Sequence, residues 1–187
     1  MNQLREIPDT GLIAACLSGQ VQAYAALVER HQNMVFNVLY RFLGNREASQ
    51  DISQEAFITA YQKLHMFNGS SKFSTWLCQI ALNKARDMLR SQGVERLCDD
   101  LEDHKDGIAA PDRETPHRQV EMSQESTRLQ QALNQLPAHY REVLVLKHLE
   151  GYSNDEIAGM LDTTVENVKV RTFRARQLFK EIYEEGV

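Results

Sequence analysis

The sequence predicts an all-α chain of two helical domains joined by a flexible acidic linker, the second domain containing a helix-turn-helix. Three observations carry that prediction. Apolar residues recur at three-and-four spacing through the first half, and no strand-like alternation of useful length interrupts them. From Glu95 to Glu125 ten acids stand against four bases, a net charge of −6 in a chain whose total is −5. The same stretch holds Gly107, Pro111 and Pro116 and few large apolar residues, a composition that makes a tether. Finally, the run from Ser153 to Lys180 contains two helix starts about ten residues apart, the second helix being strongly basic.

In chain order, Asp9 or Thr10 is placed to cap a short helix that Gly19 ends. Tyr24, Leu27, Val28, His31, Val35, Val38, Leu39 and Phe42 then mark one long amphipathic helix, stopped by Gly44-Asn45. A third helix runs from about Arg46 to Met66 with Ile52, Ala56 and Ala60 on one side, and Asn68-Gly69-Ser70-Ser71 breaks the chain. Ser74 or Thr75 opens a fourth, with Leu77, Ile80, Ala81 and Leu89 apolar and Lys84, Arg86 and Arg90 basic. These elements fill a first domain over 1–94. The linker takes 95–127 and the second domain 128–187. There Leu136-Pro137 opens a large helix whose Val143, Leu144, Leu146 and Leu149 are expected in the core.

Ser153 followed by Glu156, and Thr163 followed by Glu166, are capping-box spacings, one for each helix of the terminal pair. Ile157, Ala158 and Leu161 give the first helix an apolar face that matches Val165 and Val168 on the second. Asp162 stands at the turn, where glycine is usual; aspartate is among the few residues that tolerate a left-handed backbone. The second helix carries Lys169, Arg171, Arg174, Arg176 and Lys180 against Glu166, a local charge of +4. Such a helix in an acidic protein makes a localised phosphate footprint, the layout of a DNA reader, whereas a lone basic helix is ordinarily a solvated face.

A second constellation lies in the fourth helix and the loop before it. Phe67, Phe73 and Trp76 cluster near Lys72, Lys84, Arg86 and Arg90. Aromatics beside cations suit single-stranded nucleic acid, because exposed bases stack on rings and the backbone follows positive charge. Phe73 and Trp76 are expected in the core and Phe67, beside the polar loop, nearer the nucleic acid.

Other chemistries are excluded or unsupported. No nucleophile elbow, Gly-rich phosphate loop or rigid carboxylate pair occurs, so no enzymatic activity and no cofactor are expected. Cys16, Cys78 and Cys98 are an odd set without C-x-x-C spacing, which fits reduced thiols; Cys98, His104 and His117 share a segment without a common ligand pattern, and no metal is expected. No run of about eighteen apolar residues exists and the N-terminus lacks a signal-peptide core, so a soluble, cytoplasmic protein without membrane insertion is expected.

Three segments in order, DISQEAFITAY at Asp51–Tyr61, FSTWLCQIALNKARDMLR and YSNDEIAGMLDTTVENVKVRTFRARQLFK, resemble the extracytoplasmic-function sigma factors, group 4 of the sigma-70 family of bacterial RNA polymerase. The resemblance covers both domains and leaves out only the linker. It implies a sigma region 2 over 1–94, a sigma region 4 over 128–187, and a factor that binds core RNA polymerase and directs promoter-specific initiation. Partners so implied are core RNA polymerase, promoter DNA and an anti-sigma factor.

On matching positions the resemblance implies that Asp51, Gln54 and Glu55 dock on the polymerase clamp helices. Asp51 and Glu55 are an i,i+4 like-charge pair whose cost an oppositely charged partner relieves. It implies that Phe67, Ile80, Ala81 and Asn83 melt the promoter -10 element and capture a flipped base, Asn83 at the base edge and Ile80 and Ala81 as apolar wall. Cys78 and Gln79 depart from the commoner aromatic and arginine there. For the -35 duplex it implies Lys169, Val170, Arg171, Phe173 and Arg174 on the recognition helix, with Lys147 on the backbone. Two rival readings are a free-standing helix-turn-helix regulator that never contacts polymerase, and a non-DNA-binding interaction protein.

Overall fold

The computed structural model describes residues 6–91 and 124–186, and all regular structure among them is helical. The helices are α1 (Asp9–Leu17), α2 (Val21–Leu43), α3 (Arg46–Gln62), α4 (Phe73–Ser91), α5 (Gln124–Gln135), α6 (Ala138–Leu144), α7 (Asn154–Leu161) and α8 (Val165–Glu185). A 3₁₀ turn, Leu64–Met66, separates α3 from the loop before α4, and α6 widens into a π-turn over Val145–Leu149. Among these helices none is long and apolar enough to cross a membrane. The linker expected over 95–127 lies outside the described residues up to 123, as do Cys98, His104 and His117; residues 124–127 form the first turn of α5.

Local signals account for most helix ends. Gly44 ends α2 at φ 68°, and Asn45 then caps α3 by accepting from the Ala48 amide at 2.9 Å. A side chain on Gly44 would also meet the Asn134 side chain of α5, which would have to turn aside. Three expectations shift. The cap of α1 is Pro8, with Asp9 inside the first turn, where it pairs with Arg30 and His31 of α2. Helix α4 begins at Phe73, ahead of Ser74 and Thr75. Leu149, expected in the core, is 37% exposed: the π-turn closes through the Glu150 amide to the Val145 carbonyl, five residues back, and so alters which way the last residues face.

Helices α1–α4 surround Leu12, Leu27, Val35, Leu39, Phe42, Leu77 and Leu82, while α5–α8 surround Leu133, Leu136, Leu146, Ile157, Met160 and Val168. The two groups merge into a single apolar cluster, so the halves pack directly on one another. Two seams join them. At the first, the end of α2 is met by α5 and α6. Gln130 Nε2 donates to the Arg41 carbonyl at 3.3 Å and Arg141 Nη1 to the Phe42 carbonyl at 2.9 Å. At the second, α4 lies against α7, with Cys78 buried between Met34 and Tyr152.

Candidate nucleic-acid interface

The terminal helix pair is built by short-range capping. Ser153 and Glu156 form a complete capping box, with the Ser153 amide donating to Glu156 Oε2 at 2.9 Å and the Glu156 amide to Ser153 Oγ at 3.2 Å. The Ser153 amide and hydroxyl, both donating to Oε2, hold the Glu156 carboxyl below its usual range. Asp162 takes the left-handed turn at φ 50°, ψ 51°. The second cap differs from expectation: Thr164, not Thr163, caps α8 by accepting from the Asn167 amide at 3.2 Å. Thr163 instead accepts from the Asn167 side chain at 2.9 Å, so both threonines converge on one asparagine and Glu166 has no part in a box.

Val168 and Ala175 seat α8 in the core with no exposure, which turns Lys169, Val170, Phe173 and Arg174 outward; Val170 is 49% and Phe173 63% exposed. Phe173 is therefore a surface residue. Arg171 is half-buried, its Nε enclosed without a hydrogen-bond partner in the chain. Burial, with the nearby Arg171 charge, lowers the His139 pKa, which places this guanidinium against α6. Lys147 sits half-buried on the π-turn. It and Arg176 both help lower the pKa of the intervening His148, after burial itself, so one positive cluster spans the π-turn and α8. Arg176, one of the cations of α8, is brought near His148 only by the tertiary packing. The structure also extends α8 to Glu185, adding Glu181, Glu184 and Glu185, so the positive charge ends at Lys180.

In the first half, Phe67 packs edge-on to Phe73 at 5.8 Å and against Trp76 at 5.3 Å, beside the polar loop. Phe73 is buried as expected, while Trp76 and Phe67 are both half-buried. Along α4, Gln79, Asn83 and Arg86 form one stripe at i, i+4 and i+7. Asn83 is exposed, and its Oδ1 accepts from Arg86 Nη2 at 2.7 Å, so the amide N–H₂ is the end of the side chain that bond does not engage. Ile80 is half-buried beside it. Ala81 corrects an expectation: it has no exposure and belongs to the core, on the face of the helix opposite the outer stripe, so it does not line an accessible wall.

Asp51, Gln54 and Glu55 lie together on the exposed face of α3, joined by Ile58 at 58% exposure, since Ile52, Ala56 and Ala60 take the opposite face inward. Lys84 Nζ approaches Glu55 Oε2 at 3.2 Å, which offsets part of the Asp51–Glu55 repulsion. Among the described residues no group of three His, Cys, Asp or Glu side chains is placed to hold a metal.

Comparison with known proteins gives two family matches, sigma-70 region 2 over residues 27–94 and sigma-70 region 4 over residues 126–179. The chain is 33% identical to the ECF RNA polymerase sigma-E factor of Haemophilus influenzae, an alignment covering 94% of this chain and 95% of that one. It is also 33% identical to the RNA polymerase sigma-H factor of Pseudomonas aeruginosa, over 93% of both chains. Among solved structures, CnrH in complex with the cytosolic domain of CnrY matches at TM-score 0.68 and 28% identity, covering 93% of this chain and 96% of that one.

Proposed function

Because the chain belongs to the extracytoplasmic-function sigma factors, DNA-binding proteins that join core RNA polymerase and direct transcription initiation without being enzymes, we propose how that work is divided along it. Residues 1–94 act as region 2, binding polymerase and opening the -10 element, and the helices from α5 onward, which begin at Gln124 rather than at the expected 128, act as region 4, reading the -35 duplex, with the residues between as the tether. The observation that carries this division is the opposed burial of α8. Val168 and Ala175 face inward while Lys169, Val170, Phe173 and Arg174 face solvent, a cationic and apolar surface of the kind that enters a major groove.

Lys169 and Arg174 contact base edges or phosphates, Val170 and Phe173 contact thymine methyls, and Lys147 holds the backbone. Arg171, its Nε turned into the protein, reaches DNA through the guanidinium end alone. In region 2, Asn83 presents its N–H₂ to an acceptor on the flipped base, Ile80 supplies the apolar wall, and Phe67 borders it. Asp51, Gln54 and Glu55, with the neighbouring Ile58, dock on polymerase. An anti-sigma factor is the third partner we assign, and the similar CnrH is itself found bound to a second protein. The site of action is the cytoplasm, where polymerase and promoter DNA meet.

Run-off transcription with core polymerase tests the assignment. The chain is expected to convert core enzyme into promoter-specific enzyme, and Asn83→Ala to lower permanganate reactivity of the melted strand while leaving -35 duplex binding intact. Duplex binding with no gain of promoter-specific transcription would instead support a free-standing regulator.

A further inference from the structure

Helix α1 lies ahead of residue 27, where the match to sigma-70 region 2 begins, yet it is tied to the aromatic cluster beside the polar loop. Phe67, Phe73 and Trp76 form a closed triangle, each ring within 5.8 Å of the other two. Phe73 is its buried corner at 3% exposure, and the other two rings are half-buried. The His31 ring of α2 rests on that buried corner, 5.4 Å from Phe73 between centroids and tilted by 59°. The His31 side chain is 12% exposed, and its Nε2 donates to Asp9 Oδ2 at 2.9 Å. The other oxygen of Asp9 accepts from Arg30 Nη1, and Arg30 Nη2 donates to the Ile7 carbonyl at 2.8 Å. The carboxylate is thus fixed in the first turn of α1 with one oxygen aimed at the imidazole.

We propose that Asp9 and His31 are positioning residues for promoter opening: Asp9 sets the orientation of the His31 ring, His31 that of Phe73, and Phe73 the places of Phe67 and Trp76 against the melted strand. The proposal rests on the reading of Phe67 as bordering the -10 strand. The last torsion of a histidine is broad and roughly two-fold, so a hydrogen bond at one ring nitrogen selects a single orientation. Phe73 has no polar atom of its own and takes its orientation from the rings it meets, whose attraction depends on tilt and offset. A platform receives unpaired bases only while its rings hold their places, so loosening the buried corner is felt at the two half-buried ones. Helix α1 thereby acquires a part in reading the strand without touching it.

Trp76 is the only tryptophan of the chain, which makes it a built-in reporter of the cluster. Acrylamide quenching of its fluorescence in the free chain measures how firmly the triangle is held. Binding of reconstituted holoenzyme to a promoter fragment with an unpaired non-template -10 strand measures the fit to nucleic acid. His31→Ala and Asp9→Ala are each expected to raise the quenching constant by about half or more, as local opening admits the quencher. Each is expected to weaken binding to the unpaired-strand promoter about three- to tenfold, the range that the loss of an oriented aromatic pair carries. Affinity for core polymerase and for -35 duplex should not change, whereas a general loss of stability would lower both. Asp9→Asn, which keeps an oxygen to accept from His31, is expected to recover at least half of each effect. Unchanged quenching in the alanine variants overturns the hold of Asp9 and His31 on the cluster. Raised quenching with unchanged strand binding overturns their part in promoter opening. Phe67→Ala on the same promoter judges the underlying reading separately: wild-type binding by that variant would show that the cluster does not border the strand, while the quenching result still decides the hold on it. Should His31→Ala fail to give the wild-type thermal melt, Asp9→Ala and Asp9→Asn are read by the same two measurements with the same outcomes.

Discussion

Arg141 caps a helix that lies 99 residues before it: its Nη1 donates to the Phe42 carbonyl at 2.9 Å, at the C-terminal end of α2. The last carbonyls of a helix have no intrahelical donor, and the helix dipole makes that end negative, so a guanidinium is well matched there. The same group donates from Nη2 to the carbonyls of Asn134 and Leu136, each at 2.8 Å. One side chain thus fixes the turn between α5 and α6 and ties it to the first half of the molecule.

Arg141→Ala is therefore expected to destabilise the chain by at least about 2 kcal/mol, since charged hydrogen bonds contribute roughly 1.5–3 kcal/mol each and carbonyls are left unpaired. Arg141→Lys, which lacks the planar fork, is expected to recover only part of that loss. Urea unfolding followed by far-ultraviolet circular dichroism reads both; a midpoint unchanged in Arg141→Ala would show the bridge to be dispensable.

Burial pushes the Cys78 thiol up to about 11, so near neutral pH it is almost entirely protonated as well as enclosed. In the native chain Cys78 is expected to alkylate far more slowly than the partly exposed Cys16, and its rate to keep rising with pH beyond 9, as the thiolate fraction grows. Equal rates for the two cysteines at pH 7.5 would contradict the closed seam.

His139 gives region 4 a pH dependence of definite sign. Burial, then the Arg171 charge, lowers its pKa below the ordinary 6.5. The folded state therefore holds its proton less tightly than the unfolded one. The stability this contributes is complete above pH 6.5 and is lost as pH falls through the folded value. Urea midpoints measured between pH 8 and pH 5 should fall on acidification, and His139→Gln should flatten the part of that fall below pH 6.5. An unaltered slope in the variant would remove His139 from the account.

On the recognition surface, Lys147→Ala is expected to weaken all duplexes alike and to reduce the salt slope of binding by about one unit, as for a lost phosphate contact. Arg174→Ala should cost about 1–3 kcal/mol on the cognate -35 duplex and flatten the penalty for changing one base pair. Fluorescence anisotropy on cognate and single-mismatch duplexes at several salt concentrations separates the two. If alanine at Lys147, Lys169, Arg171 and Arg174 together left affinity and salt slope unchanged, α8 would be a solvated face.

What the sequence determined by itself was everything whose cause lies within a few residues or a helical period. The Ser153–Glu156 box, the Asp162 turn, the Gly44 stop and the inward face of α3 are of this kind, because each depends on groups three or four positions apart. Thr163 and Thr164 mark the edge of that range. Two adjacent threonines can each cap, and only the reach of Asn167 to both decides which one does. Leu149 and Ala81 fall just beyond it, since a π-turn re-aims one and the packing of α4 encloses the other. The tertiary structure alone decided that Arg86 meets Glu142, that Arg141 caps α2 and that Cys78 lies beneath Tyr152. Such pairs join faces whose apolar periodicity is satisfied equally well by any apolar partner. Charge and shape complementarity across the whole seam selects the partner, and no local window of sequence contains both sides of it.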